Sequence, residues 1–290
     1  MKRLLILSGK GGTGKTTTAA ALIRFSGTKA IADCDVDAPN LHLVTRQDSQ
    51  PVRTEFLGGD KAVIDPQRCI GCGACQKHCR FDAVTKIDGK YQVNEYACEG
   101  CGVCEYVCPE EAVQLHTDIA GHKELYLAEQ VFSTATLKMG RGNSGKLVND
   151  VKMAMLKNAP DTEISIIDGS PGIGCPVIAS VSGMDLVLVV AEPSLSGISD
   201  LKRLVKTANV FRTPLAVCVN KADVAPERAE EIYQFCMENE IHFVGFLPYD
   251  KEASKQMNQG KSVADTEGPL KDALWQMYQK IVMLLRAKDV

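Results

Sequence analysis

The sequence has no long apolar run and no large excess of charge of either sign. It contains 33 Lys and Arg against 36 Asp and Glu, a net charge of -3, so it lacks the strongly basic character typical of nucleic-acid-binding proteins. The opening MKRLLIL has four apolar residues before Ser8 and Gly9, which is too few for a signal peptide. No run reaches the length of a membrane span. We therefore expect a cytoplasmic protein with no nucleic-acid partner and no membrane span.

A phosphate-binding loop follows the first apolar run. The stretch from Gly9 to Thr16 fits G-x-x-x-x-G-K-[ST], in which glycines allow backbone N–H groups to point at phosphate oxygens. A strand before the loop and a helix after it are the required context. Lys15 is expected to reach the terminal phosphates and Thr16 to hold Mg²⁺. The predicted loop contacts are Gly9, Lys10, Gly11, Gly12, Thr13, Gly14, Lys15, Thr16 and Thr17.

The rest of the chain alternates apolar runs with helical stretches. At 290 residues and 45% hydrophobic content, it can bury one large core or two small ones. Four runs end in small, polar or proline residues, as strands of a parallel sheet do at their ligand loops. They are EISIIDGSPG, DLVLVVAEPS, PLAVCVNKAD and IHFVGFLPYD. We predict an α/β fold, a P-loop NTPase with a mostly parallel sheet flanked by helices.

Eight of the twelve cysteines form two clusters of the pattern C-x2-C-x2-C-x3-C. In bacterial ferredoxins, three cysteines of such a run bind one [4Fe-4S] cluster and the fourth binds the other. This logic assigns Cys69, Cys72, Cys75 and Cys108 to one cluster, and Cys98, Cys101, Cys104 and Cys79 to the second. The segments 69–84 and 98–113 also match each other at an offset of 29, which indicates an internal duplication.

Structural zinc is the competing interpretation of these cysteines. Zinc sites prefer two C-x2-C pairs separated by a longer loop, and here a third cysteine follows each pair too closely. One departure from the ferredoxin pattern is that Pro109 follows Cys108 whereas Arg80 follows Cys79. The predicted domains are residues 1–59 and 116–290 for the two parts of the P-loop domain, with 60–115 as an inserted, small α+β, bacterial-ferredoxin-like domain.

The motifs together resemble a known family. KGGTGKTT with Lys10, ADCDVDAPNL, IDGSPGIGC, VNKAD and LPYD are similar to the MinD/ParA-type ATPases with a deviant phosphate loop. The cysteine insert narrows the resemblance to members containing ferredoxin domains, which are related to the nitrogenase iron protein and to Mrp-type iron-sulfur carriers. The resemblance implies ATP, Mg²⁺ and two [4Fe-4S] clusters as cofactors, and a homodimer when ATP is bound.

The resemblance also implies residue roles. Lys10 would reach across the dimer interface to the partner's nucleotide, where it neutralises charge on the departing phosphate. Asp35, with Asp33 and Asp37 as neighbours, would orient the attacking water, and Asp168 would hold the water shell of Mg²⁺. Gly172 would sense the terminal phosphate through its N–H. Thus Lys10, Lys15, Asp35 and Asp168 are the predicted catalytic residues.

Base recognition has two interpretations. Residues 220–223, NKAD, match the N-K-x-D element that reads guanine in GTPases. In the resembled family, Asn220 and the segment Pro248, Tyr249 and Asp250 contact adenine instead. We expect ATP because Lys10 and LPYD belong to that family.

Two features outside these motifs have alternative interpretations. Cys175 follows Asp168 at the spacing of a cysteine that binds the intersubunit cluster of the nitrogenase iron protein, although buried free cysteine is the commoner fate of a lone Cys. It is therefore a candidate for an additional dimer-bridging cluster, whereas Cys34, Cys218 and Cys236 are expected in the core. The C-terminal helical pattern predicts a helix packed on the sheet, with a membrane-surface helix as the alternative.

The sequence therefore predicts an ATPase in which ATP-dependent dimerisation is coupled to electron transfer through two [4Fe-4S] clusters, to or from a redox or iron-sulfur acceptor protein. An ATP-dependent cluster carrier or scaffold is the main alternative. A positioning ATPase would need a membrane or DNA face, and an amidoligase similar to cobyrinate diamide synthases would need a glutaminase nucleophile; neither feature is evident.

Overall fold

The computed structural model describes residues 1–45 and 47–287. The chain forms two compact units. The first, here called the α/β unit, comprises Met1–Arg53, Lys123–Thr136 and Ser144–Val290. The second, here called the cysteine unit, comprises Thr54–His122 and Leu137–Asn143.

The α/β unit is built on a mainly parallel sheet. Its strand order is β11-β10-β9-β1-β8-β2-β7-β6-β3. The strands are β1 (Lys2–Leu7), β2 (Ala30–Asp33), β3 (Val52–Ile64), β6 (Val113–Leu127), β7 (Val131–Leu137), β8 (Ile164–Asp168), β9 (Leu186–Ala191), β10 (Leu215–Asn220) and β11 (His242–Leu247). The ranges of β3, β6 and β7 include residues of both units. The pairs β1–β8, β1–β9, β2–β8, β2–β7, β9–β10 and β10–β11 are parallel, which confirms the predicted α/β fold with a mostly parallel sheet; the ferredoxin-like nature of the insert stays a prediction.

The central strands are buried along their whole length because helices cover a parallel sheet on both faces. Every residue of β2, β8 and β9 is buried. The helices of this unit are α1 (Lys15–Ser26), α4 (Ser144–Asn158), α5 (Cys175–Val181), α6 (Leu195–Val210), α7 (Pro226–Glu238), α8 (Ala253–Asn258) and α9 (Pro269–Arg286). Each parallel strand ends at the same edge of the sheet, so the loops after β1, β2, β8, β9, β10 and β11 are brought together there.

Helix α9 packs on the core rather than presenting an apolar face to solvent. Its buried residues recur at helical spacing, and they belong to the same core cluster as strands β1, β8 and β9. They are Leu270, Leu274, Met277, Ile281 and Leu285. This confirms the core-helix interpretation of the C-terminal pattern. Within the described ranges, no helix is long and apolar enough to cross a membrane.

The cysteine unit contains small elements. An antiparallel pair, β4 (Val84–Ile87) and β5 (Lys90–Val93), lies between two short helices, α2 (Ala74–His78) and α3 (Val103–Tyr106), in the chain. The unit begins before and ends after the predicted segment 60–115, and it also includes Leu137–Asn143. The difference arises because β3 and β6 continue well beyond the cysteine motifs that defined the predicted segment.

Candidate nucleotide site and cysteine cavities

The phosphate loop connects β1 to α1 and lines a cavity of about 620 Å³ in the α/β unit. Gly12 and Gly14 adopt left-handed φ values of 79° and 93°, which glycine tolerates best. A Cβ atom at Gly14 would lie 2.2 Å from Nδ2 of Asn220. Gly14 therefore accommodates both the left-handed turn and the close approach of Asn220.

Most of the predicted nucleotide-site residues line this cavity. They are Lys10, Gly11, Gly12, Thr13, Gly14, Lys15, Thr16, Thr17, Asp35, Asn220, Pro248, Tyr249 and Asp250. Three others lie outside its lining. Gly9 packs against α6, where a Cβ atom would come within 2.1 Å of Cβ of Asp200. Asp168 is fully buried behind Lys15, and Gly172 donates its N–H to the carbonyl of Ser8 at 3.0 Å.

The buried core of the site is an ion pair with two carboxylates. Nζ of Lys15 lies 2.7 Å from Oδ1 of Asp168 and 3.7 Å from Oδ2 of Asp35. Burial acts to lower the pKa of Lys15, but the two carboxylates outweigh it and the pKa is raised. Lys15 is therefore a permanent cation on the floor of the cavity.

The same carboxylate organises an oxygen donor set. Oγ1 of Thr16 donates to Oδ2 of Asp168 at 2.8 Å, so a hydroxyl and a carboxylate from two elements meet at one point. Mg²⁺ prefers oxygen ligands and usually takes the others from water and phosphate. The residues present fit a magnesium ion bound together with a nucleotide. Across the described residues, no three His, Cys, Asp or Glu side chains are arranged to hold a metal ion by themselves.

Asp33 shapes the loop that carries Asp35. Its Oδ1 accepts the N–H of Asp35 at 3.1 Å, and its Oδ2 accepts the N–H groups of Asn40 and Leu41 at 3.1 and 3.0 Å. Asp33 is fully buried, and burial together with the nearby charge of Asp168 raises its pKa to about 7. Asp35 is buried, with 9% of its surface exposed, and it lines the cavity. Burial raises its pKa, and Lys15 opposes the shift.

Lys10 contacts its own chain. Its Nζ lies 2.8 Å from Oε2 of Glu192 and donates to Oγ of Ser196 at 3.3 Å. Oε1 of Glu192 pairs with Lys221 at 3.1 Å, and Lys221 donates to the carbonyl of Gly12 at 3.0 Å. The hydrogen bond from Lys10 lowers the pKa of Glu192 in spite of partial burial. No motif identifies Glu192 from sequence, and its only signal is its position directly after β9, at the ligand edge of the sheet.

The NKAD segment holds neighbouring loops. Nδ2 of Asn220 donates to the carbonyl of Thr13 at 2.8 Å, and Oδ1 of Asp223 accepts the N–H of Tyr249 at 2.7 Å. Asn220 therefore positions the phosphate loop, in addition to lining the cavity. Asp223, the residue that guanine recognition would require, lies outside the cavity lining, whereas Pro248, Tyr249 and Asp250 lie within it.

The cysteine unit contains two small cavities, each lined by four cysteines. The Cys69 cavity is lined by Cys69, Cys72, Cys75 and Cys108, and the Cys98 cavity is lined by Cys79, Cys98, Cys101 and Cys104. Each cavity thus contains three cysteines of one motif and the fourth of the other. Most of the remaining lining is apolar, including Ile64 and Val113 in the first and Val84 and Leu115 in the second. Four thiols in an apolar cavity are a donor set of the kind that holds an iron-sulfur cluster.

Backbone N–H groups point at several of these sulfurs. Sγ of Cys98 accepts from Ala62 and Gly100 at 3.4 Å each, and Sγ of Cys108 accepts from Ala112 at 3.3 Å. Hydrogen bonds from the backbone at Tyr91 and Gly71 lower the pKa of Cys69. Such contacts favour the thiolate, the form that binds metal.

The two halves of the cysteine unit have matching contacts. The N–H of Asp65 donates to the carbonyl of Ala112 at 2.8 Å, and that of Asn94 donates to the carbonyl of Ala83 at 2.7 Å. The offset of 29 relates these bonds to each other, since Asp65 corresponds to Asn94 and Ala83 to Ala112. The duplication therefore begins upstream of the matching segments 69–84 and 98–113.

The remaining cysteines fall into two groups. Cys34, Cys218 and Cys236 are buried, as expected, and burial raises the pKa of each thiol. Cys175 is exposed at the first position of α5. Its backbone packs against Gly145, where a Cβ atom would lie 3.3 Å from the carbonyl oxygen of Cys175. Cys175 thus differs from a buried free cysteine, and its metal role stays a prediction.

Known proteins provide an independent comparison. A family model described as the CobQ/CobB/MinD/ParA nucleotide binding domain matches residues 4–263. An uncharacterized protein of Methanocaldococcus jannaschii is 29% identical over 282 residues, which cover 96% of each chain. An uncharacterized ATP-binding protein of the same organism is 24% identical and covers 96% of this chain and 87% of its own length.

Solved structures share the fold at low sequence identity. MinD of Pyrococcus horikoshii OT3, complexed with Mg-ADP, has a TM-score of 0.57 at 16% identity, covering 99% of this chain and 98% of that one. An ATP complex of McdA from Cyanothece has a TM-score of 0.59 at 16% identity, covering 99% and 96%. At this level of identity the likeness is one of fold.

Proposed function

The chain belongs to the CobQ/CobB/MinD/ParA nucleotide-binding family and is an ATP-binding ATPase of the MinD/ParA type, and from this premise we propose that it couples ATP-dependent homodimerisation to electron transfer. In this proposal, the cysteine unit binds two [4Fe-4S] clusters that exchange electrons with a partner protein. The clusters supply one-electron chemistry, and nucleotide-dependent changes of the protein select when the partner binds.

The distribution of the eight cysteines carries the iron-sulfur part of the proposal. Spacing alone assigned Cys108 to the first motif and Cys79 to the second, and each of these residues lines the cavity of that motif. The apolar lining shields the buried thiols of Cys69, Cys75 and Cys98 from water. The N–H groups that point at Cys69, Cys98 and Cys108 favour the thiolate at these positions. Cys72 and Cys101 are exposed, which would bring one edge of each cluster near solvent and near a partner.

The nucleotide site supports a division of labour for hydrolysis. Lys15 would neutralise the terminal phosphate, and Thr16 and Asp168 would hold Mg²⁺ and its water shell. Asp35, at the edge of the cavity, would orient the attacking water. Asp33 would keep Asp35 in position through the three N–H groups that it accepts.

Lys10 supplies the dimer-dependent step. In the described chain it pairs with Glu192 and is 41% exposed. A second chain that binds MgATP would offer Lys10 a phosphate in place of this carboxylate. ATP would then hold two chains together, and turnover would depend on dimerisation.

An ATP-dependent cluster carrier is the second candidate. The exposure of Cys72, Cys101 and Cys175 favours it, because exposed ligands make transfer to an acceptor easier. The fold shared with MinD, which the solved structures name as a cell division protein, leaves a positioning role as a third interpretation that rests on fold alone.

Exchange of the fourth ligands tests the iron-sulfur assignment. Cys108→Ser is expected to perturb the cluster of Cys69, Cys72 and Cys75, and Cys79→Ser the cluster of the other motif. Iron and acid-labile sulfide, together with EPR of the anaerobically reconstituted full chain, report the result. Cys175→Ser is the matched control and is expected to retain both ferredoxin-type clusters. A reconstituted wild-type chain that binds MgATP but no sulfide would overturn the proposal.

A further inference from the structure

The first cysteine of each motif has a lysine on its backbone carbonyl. Nζ of Lys90, at the start of β5, donates to the carbonyl of Cys69, and Nζ of Lys61, on β3, donates to the carbonyl of Cys98. The offset of 29 that relates Cys69 to Cys98 also relates Lys61 to Lys90. The same contact therefore occurs twice, each time from a lysine of one half of the unit to a cysteine of the other half.

We propose that Lys90 and Lys61 set the reduction potentials of the two clusters, one lysine for each cavity. The inference rests on the proposed function, since it concerns groups that the cysteines would bind. A reduced cluster carries one more negative charge than an oxidised one, so a nearby ammonium stabilises the reduced form and raises the potential. The hydrogen bond holds the ammonium at a ligand residue, where this effect is largest.

The other charges of the cavity linings do not distinguish the two sites. Glu110 lines the Cys69 cavity and Glu99 lines the Cys98 cavity, so each contains one glutamate. Both lysines contact a cysteine carbonyl directly, whereas Lys86 of the same unit lies over the ring of Tyr91, 5.6 Å from its centroid. Lys86 is exposed, so it is a suitable control for the loss of a positive charge.

The solvent exposure of the two lysines predicts which of them changes its cluster's potential more. Lys61 is half-buried and Lys90 is exposed, and water screens the charge of an exposed group more strongly. Removing Lys61 should therefore shift the potential of the cluster in the Cys98 cavity by more than removing Lys90 shifts the potential of the cluster in the Cys69 cavity.

The test is an anaerobic redox titration of the reconstituted full chain, followed by EPR. Lys61→Met is expected to lower the potential of the cluster in the Cys98 cavity and to leave the other unchanged. Lys90→Met is expected to do the reverse, with a smaller shift. Lys86→Met should shift the potential of the cluster in the Cys69 cavity less than Lys90→Met does, because Lys86 contacts the ring of Tyr91 and no cysteine carbonyl. The spectra of Cys79→Ser and Cys108→Ser assign each signal to its cavity.

Conservative variants separate charge from hydrogen bonding. Lys61→Arg retains both and should keep the wild-type potential, whereas Lys61→Gln retains a donor without the charge and should behave as Lys61→Met. If Lys61→Met fails to assemble its clusters, the comparison of Lys61→Gln with Lys61→Arg still shows whether the charge changes the potential. Equal potentials in the Gln, Arg and wild-type chains, each with full iron content, would overturn the role of the lysines alone. A wild-type chain without clusters would instead overturn the proposed function and this inference with it.

Discussion

At the scale of single residues, the nucleotide site is controlled by how a few charges are paired. Lys15 is paired with Asp168 and Asp35, and Lys10 is paired with Glu192, which also pairs with Lys221. The first pair is buried and gives the cavity its fixed cation. The second is partly exposed, so Lys10 can exchange one anionic partner for another at lower cost.

Lys10→Ala tests the exchange of partners. The variant should still bind MgATP, because Lys15, Thr16 and Asp168 remain, but it should lose ATP-dependent dimerisation and most of its turnover. Light scattering with a non-hydrolysable ATP analogue and a phosphate-release assay measure the two effects. Lys29→Ala, which removes an exposed lysine paired with Glu129, is the control. Wild-type hydrolysis by Lys10→Ala would contradict the role of Lys10.

The raised pKa of Asp33 predicts how the free energy of unfolding depends on pH. Its pKa is about 7 in the folded chain, against an ordinary value of 3.8, so the folded state binds more protons between these values. Stability is therefore lost as pH rises through this interval. The free energy of unfolding of the wild type, relative to Asp33→Asn, should fall by roughly 1 to 4 kcal/mol between about pH 4 and pH 7.

Urea unfolding of both full-length chains, without metal or nucleotide, measures this difference. The substitution also changes the hydrogen bonds to Asp35, Asn40 and Leu41. The resulting loss of stability is nearly independent of pH, so the pH dependence of the free-energy difference between the two chains still reports the ionisation of Asp33. A free-energy difference that is flat from pH 4 to pH 8 would show that Asp33 ionises normally in the folded chain.

At the scale of elements, strand ends and helix ends are connected by buried polar contacts. Lys152 of α4 is 3% exposed, and its Nζ donates to the carbonyls of Ala179 and Ser182 at 2.6 and 2.8 Å. These carbonyls belong to the C-terminal end of α5, where helical carbonyls lack partners of their own. A cation there is also favoured by the helix dipole. Lys152 thus joins α4 to the element that follows Gly172.

Lys152→Met is expected to destabilise the chain. The methionine retains most of the volume but leaves two carbonyls unpaired, which costs about 2 to 4 kcal/mol in total. Burial already lowers the pKa of Lys152, so the net loss should lie toward the lower value. Lys157→Met on the same helix, at an exposed position, should change the free energy of unfolding by less than about 0.5 kcal/mol. Equal denaturation midpoints for the two variants would contradict this.

Elements also differ in how well the sequence predicts them. Strands β8 to β11 and helices α6 and α7 are predictable because their apolar spacing is local and because small, polar or proline residues follow the apolar run of each strand. The cysteine cavities follow from spacing alone, since the fourth cysteine of each motif must point away from the other three. The extent of the cysteine unit does not follow from this spacing, because β3 and β6 extend beyond the motifs. In addition, Leu137–Asn143 joins the unit from a distant part of the chain. The Glu192 contact with Lys10 is likewise long-range, and no local pattern specifies it.

At the scale of the whole molecule, the chain combines an ATPase of known family with a duplicated cysteine unit. Each unit has its own core: β1, β8, β9, α1 and α9 form that of the α/β unit, while the cysteines and small apolar residues form those of the other. We propose that the nucleotide state of the α/β unit changes the electron chemistry of the cysteine unit.

An anaerobic, EPR-monitored redox titration of the intact protein, with and without MgATP, tests this claim most directly. Cluster potentials respond to hydrogen bonds, charge and solvent access. We predict two [4Fe-4S] signals and a change in potential or line shape on addition of MgATP. The change should be absent from Lys15→Ala, which lacks the cation for the terminal phosphate. Two clusters with identical potentials and line shapes in both conditions, in a chain saturated with MgATP, would contradict ATP-coupled electron transfer and favour the carrier.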